Sequence, residues 1–358
     1  MAQADLCVRN ARVVTPSGTI DGGVAAEDGK IVAVGADSNL PEAERTIDAE
    51  GNYLLPGFID PHVHWGLSRY EFEYHEGLEH DFETETRGAV HGGVTTVVNF
   101  LLQPDPYLPD MDFFVEAGEQ NSYIDFAYHA IVHMSTGEGV DICKRFQEKG
   151  VNLHAETLPA FLTHTKDEED LGVWGKISPP LRGEWSKKRL WQGLREGTVD
   201  YVGTDHCPHK IEFKQKEKGK FGDIWDAIPG DNNGIEYLLP VMMSEGVNKN
   251  RIGIERLVEV CAENNARRWG LYPRKGALQE GSDADMVIVD PEKSTVVDDD
   301  FYHTMEPGYS TMHGMELTGL PTHTIVGGEV VVEDDELVAE PGGRNYLPRG
   351  PSGVPSGE

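Results

Sequence analysis

Short apolar runs broken by Gly, Pro and Asp dominate both ends of the chain. At the amino end, LCVRNARVV (6–14), KIVAVG (30–35) and RTIDAEGNYLL (45–55) read as β-strands, and ADMVIVD (284–290) and HTIVGGEVVV (323–332) repeat the style near the carboxyl end. Between them the pattern changes. GFIDPHVH (57–64), Gly93–Phe100, DFAYHAIVHM (125–134), VNLHAET (151–157) and TVDYVGTD (198–205) are buried-strand runs, interleaved with helical spacing. Val140, Cys143 and Phe146 recur at helical intervals in DICKRFQEKG, and NGIEYLLPVMMSEG (233–246) and IERLVEVCAENNARRWG (254–270) predict later helices. The pattern therefore predicts an α/β protein. A composite β-sandwich is built from residues 1–54 and 277–340 and flanks a strand-and-helix segment at 55–276. The tail 341–358 lacks apolar periodicity and is expected to be disordered.

Chemistry concentrates at strand ends. In LLPGFIDPHVHWG the apolar run ends at His62 and His64, and residues two apart on a strand project from one face, so both imidazoles can aim at one point. With 14 histidines in the chain, roughly half an HxH is expected by chance, so the weight lies in the context: a buried strand ending at the pair instead of a surface turn. A later run, VDYVGTDHCP, ends on Asp205, whose carboxylate can complete a metal-binding corner.

Taken together, GFIDPHVH, HMS (133–135), HAETLPAFL (154–162), KISPPLR (176–182), GTDHCP (203–208), LYPRKG (271–276) and GSDADMVIVD (281–290) resemble the cyclic amidohydrolases, most closely the dihydropyrimidinase and hydantoinase branch. The resemblance runs along nearly the whole chain. It implies a (βα) TIM-like barrel with a β-sandwich, a homo-oligomer (dimer or tetramer), and ring-opening hydrolysis of a cyclic amide or imide. It also implies that His62, His64 and Asp205 hold one divalent ion, zinc by preference, and that His133 is a ligand of a second. A divalent ion there would lower the pKa of bound water to about 7, with Asp205 carrying the proton to the leaving nitrogen. Ser178 and Gly230 match positions that contact the substrate ring through the backbone, although Gly230 stands where asparagine is usual, and Arg182 reads as a structural ion-pair residue. His206, His129 and His154 are candidates to support the ligands from behind, each also readable as a packed or rim histidine.

The chain departs from the family in one respect. Asp125-Phe126-Ala127-Tyr128-His129 runs directly into Ala130-Ile131-Val132-His133, where relatives carry two more barrel strands, one with a carboxylated bridging lysine and the next with a histidine. About six strands are countable against the eight of a closed barrel. Lys144, Lys149, Lys187 and Lys188 read as solvated helix charges, and Lys166 and Lys176 end no strand, so no bridging lysine is visible. The expectation is an incomplete barrel holding about one tightly bound ion, or two if other residues rebuild the site. Two alternatives stay open: a one-metal amidohydrolase with another substrate, of allantoinase or dihydroorotase type, and a non-catalytic assembly paralogue. Retention of HxH and of Asp205 argues against the second.

Charge and composition narrow the partners. The net charge of −31 disfavours nucleic acid, and no 18-residue apolar run is present to cross a membrane. The amino terminus lacks an apolar signal core, so a cytoplasmic location is expected. The dispersed acidic residues fit either a salt-rich cytoplasm or an ordinary acidic surface. Cys7, Cys143, Cys207 and Cys261 have neither a zinc spacing nor a disulfide framework and read as small buried residues.

Overall fold

The computed structural model describes residues 4–65, 77–100, 111–129, 133–150, 153–208, 215–217, 220–221, 230, 234–304 and 310–348. The amino-terminal runs form β1 (Ala4–Thr15), β2 (Gly18–Glu27), β3 (Lys30–Gly35), β4 (Ala43–Asp48) and β5 (Tyr53–Pro56). The chain then alternates: β6 (Phe58–Val63), α1 (Leu78–His91), β7 (Val94–Phe100), α2 (Met111–Asn121), β8 (Asp125–His129), α3 (Gly137–Gln147), β9 (Glu156–Thr157), α4 (Pro159–Thr163), α5 (Glu184–Glu196) and β10 (Tyr201–Val202). A small hairpin follows, β11 (Gln215–Glu217) with β12 (Lys220–Phe221), then α6 (Gly234–Val241), α7 (Ile254–Val258) and α8 (Asn264–Arg268). Met242–Val247 and Glu259–Glu263 continue the helices in π-helical form. The carboxyl-terminal strands are β13 (Met286–Val296), β14 (Glu316–Val326), β15 (Glu329–Glu333) and β16 (Glu336–Leu337).

The two chain ends meet in one nine-stranded sheet ordered β16-β15-β14-β13-β5-β1-β2-β3, with β4 also on β1. The link between the ends is β13 against β5, antiparallel from Met286–Pro56 to Val289–Tyr53. The layers expected of a sandwich are thus one hydrogen-bonded sheet. Inward residues from both ends, Leu6, Val24, Ile47, Met286, Ile325 and Val330 among them, share one core, as alternation along each strand dictates.

Among the described residues the barrel wall is incomplete. β6, β7 and β8 form a parallel three-stranded sheet, and β9 and β10 a parallel pair. A parallel bridge from Val63 to His206 and the bond from His64 N to His206 O join the segment after β10 to β6. On the other side, Met134 N donates to Glu156 O, which makes the His133 segment the sixth element of the wall. Tyr123, Phe126, Leu158, Leu190, Val202 and Tyr237 fill the interior and the helix layer around it. Asn265 reaches into the wall, its Nδ2 donating to Ile59 O at 2.7 Å and to Val202 O at 3.5 Å.

The expectation of disorder from residue 341 is corrected for 341–348. Gly342 N donates to Ser122 O, Asn345 N to the Asp125 carboxylate and Leu347 N to Phe126 O, and Leu347 is 1% exposed. One buried leucine and an unused strand edge hold a segment whose composition has no periodicity. Residues 349–358 lie outside the described residues.

Candidate metal centre

Two stretches of chain bring the histidine pair and the aspartate together. Asp205 N donates to His62 O at 3.0 Å, so the end of β6 and the segment after β10 lie side by side. Asp60 ties them further. Wholly buried, it accepts from Thr204 Oγ1, from Thr204 N at 3.2 Å and from His62 N at 3.1 Å. Burial raises its pKa to about 7 in spite of those bonds. Gly203 is required by packing: a Cβ there would stand 2.9 Å from Glu156 Oε1. Asp205 has φ +56°, a left-handed conformation that aspartate tolerates better than most residues.

The candidate ligand atoms lie close together. His62 Nε2 and His64 Nε2 are 3.3 Å apart, and Asp205 Oδ1 lies 3.0 Å from His64 Nε2, 3.8 Å from His62 Nε2 and 3.4 Å from His133 Nε2. Behind them stands Glu156, whose Oε1 is 2.7 Å from His133 Nδ1 and 3.5 Å from His62 Nδ1. Glu156 accounts for the Nδ1 positions, which turns the Nε2 atoms of both histidines toward Asp205. Burial opposes charge on His133, yet bonds to Asp205 and Glu156 outweigh it and raise its pKa to about 10. Burial would raise both carboxylates, but the histidine bonds prevail: Glu156 falls to about 2, and Asp205 lies well below the usual range. Burial lowers His62, against the pull of Glu156.

An Amidohydrolase family model matches residues 181–331. An L-hydantoinase of Paenarthrobacter aurescens is 28% identical over 460 aligned positions, covering 96% of this chain and 98% of the relative. The solved L-hydantoinase (dihydropyrimidinase) from Arthrobacter aurescens superposes with a TM-score of 0.86 at 28% identity, over 96% of this chain and 99% of that one. The chain carries an amidohydrolase domain and is similar over nearly its whole length to hydantoinases and a dihydropyrimidinase. A D-hydantoinase of Geobacillus stearothermophilus is 26% identical over 469 positions, covering 97% of each chain. Both alignments are longer than this amidohydrolase's 358 residues, which requires long gaps within it.

The amidohydrolase centre fits a metal ion on its own geometry. Zinc bonds of about 2.0–2.1 Å in a tetrahedron place ligand atoms about 3.3–3.4 Å apart, and the separations here, 3.0 to 3.8 Å, bracket that value. Two imidazole nitrogens facing each other at 3.3 Å also need a shared proton or cation between them.

The other residues singled out from sequence fall in different places. His206 is fully buried and bonds Glu85 at 2.8 Å, a buried pair directly behind the ligand Asp205. His154 is exposed and faces Asp200 at 3.4 Å, which sets aside its reading as a support behind the ligands and leaves the rim reading: the chain enters the barrel only at Ala155–Glu156. The side chain of His129 lies outside the described residues. Gly230 N donates to Lys176 O at 3.2 Å, two residues from the exposed Ser178, so the two loops expected to meet the substrate adjoin. Arg182 donates from Nε to Ser135 Oγ at 3.3 Å, a hydroxyl partner where an ion pair was expected. Lys144, Lys187 and Lys188 pair with Glu196 and Glu184 on the outer helices. Glu156 and Asp60 were missed as site residues. Each is a carboxylate inside an otherwise apolar strand run, a signal that a buried charge with a partner was needed.

Proposed function

We propose that this amidohydrolase opens a cyclic amide ring, a dihydropyrimidine or a hydantoin, at one divalent ion held by His62, His64 and Asp205 with His133 as fourth ligand. The reading is supported by the close triad of His62, His64 and Asp205 and by His133 Nε2 lying 3.4 Å from Asp205 Oδ1. These residues suit zinc, which when bound would supply an activated water near neutral pH and a Lewis acid for the ring carbonyl. Glu156 holds His62 and His133 in the ligating tautomer. Asp205 accepts the water proton and returns it to the leaving ring nitrogen. Backbone groups at Ser178 and Gly230 orient the ring amide, and Asp60 keeps the two ligand-bearing segments in register. A homo-oligomer belongs to the same reading. With no bridging lysine, the centre retains about one ion per chain.

The test is turnover of dihydrouracil and a 5-substituted hydantoin by the zinc-loaded chain, with elemental analysis after dialysis. Activity that chelation removes and zinc restores, and that Asp205→Asn lowers at least about 10²-fold, is expected. A loaded chain without turnover of any cyclic amide, allantoin and dihydroorotate included, would overturn hydrolysis and favour an assembly role.

A further inference from the structure

A second cluster of ligating side chains lies away from the barrel centre, where α1 and α6 meet the nine-stranded sheet. His91 is the last residue of α1, His303 follows β13, and Asp335 occupies the turn between β15 and β16. One ligand atom from each lies within 4.8 Å of the other two. Both imidazoles have their Nδ1 engaged. His91 Nδ1 is 2.7 Å from Arg87 O, an acceptor only, so this nitrogen carries the proton. His303 Nδ1 is 2.6 Å from Glu236 Oε1, and Glu236, 2% exposed, also accepts from His303 N at 3.0 Å. With Nδ1 so engaged, Nε2 is the ring nitrogen each histidine can turn to an ion once its proton is displaced.

A carboxylate behind a histidine that faces a third ligand is how metal sites fix the tautomer of their imidazoles. The surroundings add to the case. His91 stands at the carboxyl end of a 14-residue helix, where the backbone dipole favours a cation. Thr324 Oγ1 donates to Val90 O at 2.6 Å and pins that helix end to β14, so the cluster spans elements already held together. Asp335 sits at φ +73°, beside Asp334 at +49°, left-handed conformations that aspartate tolerates. The rings are stacked, 3.6 Å between centroids and 6° from parallel, so an ion must fan them apart. A cavity of about 290 Å³, lined by His91, Glu236, His303 and Asp335, gives the room.

We propose that His91, His303 and Asp335 form a second divalent-metal site, suited to a borderline ion such as zinc, with Glu236 positioning His303. It ties helix α1 to the sheet and is independent of hydrolysis at the barrel centre.

The test is calorimetric zinc titration of the full chain carrying His62→Ala and His64→Ala, which disables the barrel centre. One zinc per chain is expected to bind still, with at least about a tenfold loss of affinity when His91→Ala or Asp335→Asn is added. Asparagine tolerates the left-handed turn, so Asp335→Asn removes the charge without refolding the hairpin. If the double alanine chain fails to fold, zinc equivalents are counted in the otherwise unaltered chain, where His91→Ala should remove one and leave cyclic-amide turnover unchanged. Equal zinc binding with and without His91 and Asp335, or none in a folded double alanine chain, overturns the site.

Discussion

The nine-stranded sheet and the barrel wall are built from similar short apolar runs, yet they are held together differently. In the sheet the backbone does the joining: β1 pairs with β2 along one edge and with β4 and β5 along the other. Among the described residues of the wall, the ladder stops after three strands, and one bridge and a few single backbone bonds connect the remaining pieces. Buried side chains take over there. Asp60 receives Thr204, Asn265 spans Ile59 and Val202, and Lys275 sits among Asp125, Asp283 and Asp285. A backbone ladder tolerates most substitutions, whereas a buried polar join depends on each partner. The wall should therefore be sensitive at single residues where the sheet is not.

The largest stability effect expected is at Lys275. Its ammonium is 1% exposed and pairs with Asp125 on β8 and with Asp283 and Asp285 just before β13. Burial opposes its charge, but Asp285, Asp125 and Asp283 raise its pKa above the usual lysine value. Lys275→Met leaves those carboxylates buried without their cation and should cost about 3–5 kcal/mol, read as a lower urea midpoint. A midpoint unchanged from the parent would mean that the wall does not depend on this join.

Glu156→Gln addresses the centre inside the wall. It keeps the shape but offers His62 and His133 an amide, so zinc affinity should fall at least about tenfold while the urea midpoint moves little. Loss of stability without loss of affinity would make Glu156 a packing residue. The smallest effect belongs to the sheet surface, where Arg45 and Glu333 pair at 2.7 Å with both side chains 40% exposed or more. Arg45→Ala should cost under about 1 kcal/mol, and less in high salt. A cost equal to that at Lys275 would erase the contrast between the two regions.

Legibility in the sequence follows the same division. The HxH pair was readable because strand geometry alone puts His62 and His64 on one face, and Asp205 because it ends a buried run. The sheet strands were readable from alternation, which one face in a core imposes. His154 misled because its run, VNLHAET, gave no sign of where the chain enters the barrel, and the buried carboxylate two residues on was the one at the site. The order of 341–348 was not readable either, since it depends on an edge offered by β8, more than two hundred residues earlier.

Local order thus determined the strands, the helices and the histidine pair, because each rests on periodicities of two or 3.6 residues that the chain carries within itself. Only the tertiary structure decided that Glu156 stands behind His62 and His133, that Lys275 joins the wall to the sheet, and that His91 meets His303 and Asp335. Those pairings link residues up to about 240 positions apart, and what selects them is burial: a charge taken from water must find its partner wherever the fold brings one.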